Sequence, residues 1–128
     1  MTLSNSKLNV SIAVSDMARA EEFYEGKLGL SAVQAGADGS RIYRSGGDAS
    51  LHVYPSPGRA GLSSATLATW YVDDLERVVD ALTSNGVTFE HYEELTTDEK
   101  GISPRAGGGK VAWFKDPDGN LFSIEGDR

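Results

Sequence analysis

A chain of 128 residues, 39% hydrophobic and 24% charged, has the size and balance of one folded domain with a core of its own. Its net charge of −7, with no basic run, excludes nucleic acid and an anionic membrane surface as principal partners. Without cysteine there are no disulfides, thiolate nucleophiles or Cys-bound metals, and no stretch approaches the ~20 apolar residues of a membrane span.

Residues 1–7 show no apolar run behind a positive region, so no secretory signal is expected and the cytoplasm is the default compartment. Residues 8–14 then alternate. Val10, Ile12 and Val14 fall on one side and Asn9, Ser11 and Ala13 on the other, the period of a strand with one apolar face. Asp16 is placed to cap a helix, because its carboxylate can accept from the unpaired N–H groups of the first turn. Met17, Ala20, Phe23 and Tyr24 form the apolar stripe of that helix, and Gly26 and Gly29 supply its exit. Strands are expected at 30–35, 41–45 and 50–54, the last two joined through Gly46-Gly47-Asp48. The first half therefore reads β-α-β-β-β.

Residues 55–64, opened by two prolines and two glycines, read as a linker, after which the pattern restarts. Residues 67–72 alternate, Asp73-Asp74 caps, and Leu75, Val78, Val79 and Leu82 make a second apolar stripe ended by Asn85-Gly86. A strand is predicted at 87–92. Residues 93–109, polar and Gly-rich with no apolar period, are predicted to form a long loop. A hairpin at 110–125 closes the chain, turning at Asp116-Pro117-Asp118-Gly119-Asn120. The halves superimpose. Val14-Ser-Asp16-Met-Ala-Arg19 falls on Val72-Asp-Asp74-Leu-Glu-Arg77 (74 − 16 = 58), and Leu51-His-Val-Tyr54 on Phe122-Ser-Ile-Glu125 (122 − 51 = 71). The expectation is a single α+β domain over 1–128, built of two tandem βαβββ repeats (about 8–54 and 65–125) that form a curved mixed sheet around a groove.

Each half has one helix and so can cover only one face of its sheet. The uncovered face should carry Asn9, Ser11, Ala13, Ser50, His52 and Tyr54 in the first half. In the second it should carry Leu67, Thr69, Tyr71, Leu121, Ser123 and Glu125. A polar and aromatic face of this kind suits a groove for a small ligand. If the closing turn is a two-residue turn at Asp118-Gly119, Phe114 lies opposite Ser123 and joins this face, with Trp113 behind it. No Gly-x-Ser-x-Gly elbow, phosphate loop or dinucleotide fingerprint occurs, and Gly107-Gly108-Gly109 precedes a strand, not a helix. His91 has no partner in sequence and is assigned no role.

The two repeats, Val-Ser-Asp-Met with Phe23-Tyr24 and Leu28-Gly29-Leu30, Val-Asp-Asp-Leu, and the terminal Asp-Pro-Asp-Gly-Asn together resemble the vicinal oxygen chelate superfamily. That group includes glyoxalases, extradiol dioxygenases and bleomycin resistance proteins. The resemblance implies a divalent metal held by His, Glu or Gln at four strand positions, which here are Asn9, Leu67, His52 and Ser123. Only His52 is a good ligand, and a shift of two residues adds Glu125 at most, so no metal cofactor is expected. The resemblance thus points to metal-independent binding of a small, aromatic or planar molecule, of the sequestration or resistance type. Its contacts would be Asn9, Ser11, His52, Tyr54, Thr69, Tyr71, Phe114, Ser123 and Glu125. The alternative is a lyase, isomerase or dioxygenase that uses an atypical metal site or His52 as general base. A homodimer is implied by the resemblance, and neither nucleic acid nor membrane is expected as a partner.

Overall fold

The apolar alternation and the two aspartate caps become two successive four-stranded mixed sheets, each with one helix. The computed structural model of the protein describes residues 3–127. Met1 and Thr2, part of the stretch read above for a signal, and Arg128 lie outside the described residues. A single 3₁₀ turn (Leu3–Asn5) precedes β1 (Val10–Val14), α1 (Met17–Glu21) running on into a π-helical turn (Glu22–Lys27), β2 (Ser31–Ala35), β3 (Arg41–Arg44) and β4 (Ser50–Pro55). The second set is β5 (Thr66–Val72), α2 (Leu75–Ser84), β6 (Ser103–Pro104), β7 (Lys110–Lys115) and β8 (Leu121–Gly126). The strand orders are β1-β4-β3-β2 and β5-β8-β7-β6, with the first and last strands of each set parallel and the other pairs antiparallel. This is the expected α+β fold of two βαβββ repeats. The chain divides into two compact units between Ala60 and Gly61, inside the expected linker. Ser11 faces His52 in the first unit and Thr69 faces Ser123 in the second, so the offsets read from the sequence are those of the strand registers.

In the first unit Asp16 caps α1 as expected, its Oδ1 accepting from the N–H groups of Ala18 (3.0 Å) and Arg19 (3.2 Å). Ala20, Phe23 and Tyr24 are buried, as are Ile12, Val14, Leu51 and Val53 of the sheet. Tyr24 stacks on Tyr43 of β3 with ring centroids 5.9 Å apart. The Tyr43 hydroxyl donates to Glu25 Oε2 at 2.9 Å. Burial first, and then the Glu25 carboxylate, push the Tyr43 phenol well above its ordinary value near 10. The folded phenol stays protonated where the unfolded one ionises. Its contribution to stability is complete below pH 10 and is lost as pH rises from there toward the folded value. Tyr43→Phe should therefore show a shallower fall of Tm above pH 10 than the parent, followed by circular dichroism. Parallel curves would show that Tyr43 does not contribute to the alkaline limb.

In the second unit Asp74 caps α2 by accepting from Arg77 N–H at 3.2 Å, and Leu75 and Val79 are buried beneath it. Phe114 lies at the centre of an aromatic cluster, 5.6 Å from Phe122, 5.8 Å from Phe89 and 6.0 Å from Trp70 between centroids.

Three expectations are corrected here. Residues 87–92 do not form a strand: Phe89 alone bridges to Phe114, with Glu90 N–H donating to the Trp113 carbonyl at 2.8 Å. The expected loop at 93–109 contains β6, which pairs with Lys110 and Val111. The cause is shared, since one edge of β7 is divided between these two short segments and neither has the length to show a period. The rest of the loop is tied down. Asp98 Oδ1 accepts from Lys100 and Ile102 N–H, both at 2.9 Å, and Lys100 Nζ reaches Glu76 and Asp80 of α2, both at 3.0 Å.

The third correction concerns Phe114. The closing turn spans five residues: Lys115 pairs with Leu121, and Asp116 N–H donates to the Asn120 carbonyl at 3.0 Å. Asp116 Oδ1 accepts from the N–H groups of Asp118 and Asn120, both at 2.9 Å, and Asn120 Nδ2 donates to Asp116 Oδ2 at 2.8 Å. This register differs by one residue from that of a two-residue turn, and a one-residue slip moves every side chain to the other face. Trp113, not Phe114, lies opposite Ser123, and Phe114 is packed toward the core at 1% exposure. Asn120 Oδ1 also accepts from Gly61 N–H at 3.2 Å. Gly61 has φ of +66°, and a Cβ there would collide with the Asp118 carbonyl, so glycine is required at this position.

Candidate ligand-binding faces

Strand registers assign each candidate residue to a face. In the first unit Ser11, His52 and Ile42 form one row across β1, β4 and β3, with Ala13 and Tyr54 in the next row. The His52 and Tyr54 rings stack with centroids 5.4 Å apart and 29° between planes. Both are half-buried, Ser11 is exposed, and Asn9, just before β1, accepts a hydrogen bond from the Ser50 hydroxyl. A hollow of about 660 Å³ in this unit runs from Ser4 to Leu8 and along Asp48 to Ser50. Of the residues expected on the uncovered face it is lined by Ser50 and not by Asn9, Ser11, His52 or Tyr54.

In the second unit the face opposite the aromatic cluster carries three rows. Val111, Glu125 and Tyr71 are in register, then Trp113, Ser123 and Thr69, then Lys115, Leu121 and Thr66. Leu67 falls where the register shifts between Thr66 and Ala68 and pairs with neither neighbour strand position. The hydroxyls of Thr69 and Ser123 are 2.7 Å apart, and Ser123 is 3% exposed, so it is already satisfied where it stands. Glu125 is ion-paired, its Oε1 2.9 Å from Arg105 Nη1. Tyr71 is 74% exposed. Tyr92 meets the Trp113 ring edge-on, with centroids 5.4 Å apart. Burial first, then the carboxylates of Glu90 and Glu94, push the Tyr92 phenol above its ordinary range.

Two clefts flank these rows. One, of about 240 Å³, is lined by Tyr71, Val72, Asp73, Glu125, Gly126 and Asp127. The other, of about 340 Å³, involves Leu62, Ser63, Ser64, Tyr92, Lys115 and Leu121. Sequence reasoning missed Trp113, Tyr92, Arg105 and Lys115. Trp113 was recoverable: an Asx residue opening Asp-Pro-Asp-Gly-Asn can accept from the backbone two and four residues on, which makes the turn longer than two residues. Arg105 had no sequence signal, because nothing in a polar loop announces which carboxylate it will reach.

The metal set implied by the resemblance does not fit. Asn9 is engaged by Ser50, Leu67 has no donor atom, and Ser123 is paired with Thr69. Among the described residues no group of three His, Cys, Asp or Glu side chains is placed to hold an ion. Glu125, the one further carboxylate considered, is occupied by a guanidinium.

The family model of the Glyoxalase/Bleomycin resistance protein/Dioxygenase superfamily matches residues 8–124. Among solved structures, an antibiotic binding protein from Streptomyces sp. is 25% identical, with a TM-score of 0.73 over 100% of this chain and 99% of that one. A glyoxalase family protein from Enterococcus faecalis is 21% identical, with a TM-score of 0.73 over 97% of this chain and 99% of that one. A lactoylglutathione lyase from Agrobacterium tumefaciens is 15% identical, with a TM-score of 0.70 over 95% and 93%. The last two likenesses are of fold alone. No curated protein matches the sequence.

Proposed function

Because the chain belongs to the glyoxalase/bleomycin resistance protein/dioxygenase superfamily, we propose that it binds a small planar organic molecule without a metal, as a sequestering or resistance-type protein. The observation that carries this reading is the helix-free face of the second unit. There the edge-on Trp113–Tyr92 pair stands beside the Thr69–Ser123 hydroxyls and the Arg105–Glu125 ion pair. Aromatic walls suit a flat ligand, and a few fixed polar groups orient it. The antibiotic binding protein, at 25% identity, supports the binding of a small molecule. In the first unit the His52–Tyr54 stack, with Ser11 and Asn9, offers contacts of the same kind. The protein acts in this reading as a homodimer, which light scattering tests directly. A lyase, isomerase or dioxygenase activity has one candidate base, His52, and would be lost in His52→Ala.

The reading predicts that Trp113→Ala weakens binding of an aromatic ligand by about tenfold or more. Because Trp113 is only half-buried, the variant should lose about 1 kcal/mol of stability. Titration with a panel of polycyclic aromatic compounds in EDTA, followed by tryptophan fluorescence and calorimetry, checks both. Binding that persists unchanged in Trp113→Ala, or that requires a divalent ion, would defeat the proposal.

A further inference from the structure

The cleft of about 340 Å³ in the second unit holds one end of the binding face and has a composition of its own. Its walls are Leu62, Leu121 and Tyr92, its polar groups are Ser63 and Ser64, and among the described residues that line it Lys115 alone carries a charge. Lys115 shares a row with Leu121, next to the row of Trp113, so the cleft continues the aromatic surface. Its Nζ stands 3.6 Å from Glu90 Oε1. That is an ion pair but longer than a hydrogen bond, which leaves the ammonium its N–H donors for another acceptor. Arg105, the other cation of this face, differs: at 2.9 Å from Glu125 it is committed.

We infer that this cleft is the acid-recognising end of the ligand site: it takes a carboxylate against Lys115 Nζ and the serine hydroxyls, while the apolar body of the ligand lies on Leu62, Leu121 and Tyr92. The inference rests on the small-molecule-binding reading and narrows it to organic acids. The protein's net charge of −7 does not oppose it, since charges more than ~8 Å away are largely screened at physiological ionic strength. A carboxylate meeting an ammonium at contact inside a partly closed cleft is screened far less. Lys115 supplies a point charge with rotatable donors, so it selects for charge and not for a planar bidentate geometry.

The test compares naphthoate with naphthamide, which share shape and differ in charge, by ¹H–¹⁵N NMR titration of the full chain. Naphthoate should bind about tenfold more tightly than naphthamide and shift the amides of residues 61–64 and Lys115. In Lys115→Gln the acid should fall to the level of the amide, and Lys115→Arg should restore most of the preference. Melting curves confirm that each variant is folded. Equal binding of the two probes, or a preference that survives Lys115→Gln, overturns the inference while leaving the planar-ligand reading standing. Failure of both probes to bind overturns the two together.

Discussion

Replacing Phe114 by alanine is expected to cost about 3–5 kcal/mol, the range for removing a fully buried aromatic ring, and to lower Tm by roughly 10–20 °C. The ring is 1% exposed and has aromatic neighbours Trp70, Phe89 and Phe122 within 6.0 Å between centroids, so its loss opens a cavity among rigid rings. The prediction also decides the register. Had Phe114 faced the ligand, its removal would spare stability and abolish binding, the behaviour expected of Trp113 instead. Equilibrium unfolding in urea of Phe114→Ala and Trp113→Ala, beside their binding curves, separates the two. A loss below about 1 kcal/mol in Phe114→Ala would return it to the binding face. A double-mutant cycle with Phe122→Ala should give a coupling of about 0.5–1.5 kcal/mol for that stacked pair.

The second large effect belongs to Asp116. The residue is 5% exposed, and its carboxylate accepts hydrogen bonds from Asp118 N–H, Asn120 N–H and Asn120 Nδ2. Hydrogen bonds to an ionised acceptor are stronger than neutral ones, and removing the acceptor leaves the buried Asn120 donors without this partner. Asp116→Ala should therefore cost about 3 kcal/mol or more. Asp116→Asn should fall between, because its amide oxygen can still serve the two backbone donors while its NH₂ group confronts Asn120 Nδ2. Urea denaturation of the three proteins tests the order. If Asp116→Asn proves no better than Asp116→Ala, the carboxylate geometry is not what holds the turn.

Much of this fold was legible because it was written twice. Asp16 and Asp74 cap their helices as their spacing suggested, and the parallel registers Ser11–His52 and Thr69–Ser123 carry the same offsets as the sequence repeat. The face bearing Thr69, Tyr71, Ser123 and Glu125 followed from alternation and from the alignment of the two repeats. What could not be read was everything that depended on counting through a turn or a loop. The exchange of Phe114 for Trp113 turned on whether Asp116 closes a two-residue or a five-residue turn, a choice made by its side-chain hydrogen bonds and not by hydrophobic period. The two residues of β6, and Arg105 just beyond them, are placed by long-range pairing that a local pattern does not encode. The candidate site was thus half visible: its backbone rows were in the sequence, and its charged and aromatic rim was not.

In each unit the strand that finishes the sequence sits inside the sheet. β8 lies between β5 and β7, as β4 lies between β1 and β3. Thr66 therefore waits for Leu121 to find its partner, and α2 and β7 have no completed sheet to rest on until β8 is in place. Contacts so distant along the chain make for slow, late closure, and until then apolar strand faces stay uncovered. Gly126, the final residue of β8, stands so close to Val72 that a Cβ would collide with its carbonyl. The second unit thus depends on β8 to become a folded body, and loss of that strand removes the centre of its sheet and not an edge.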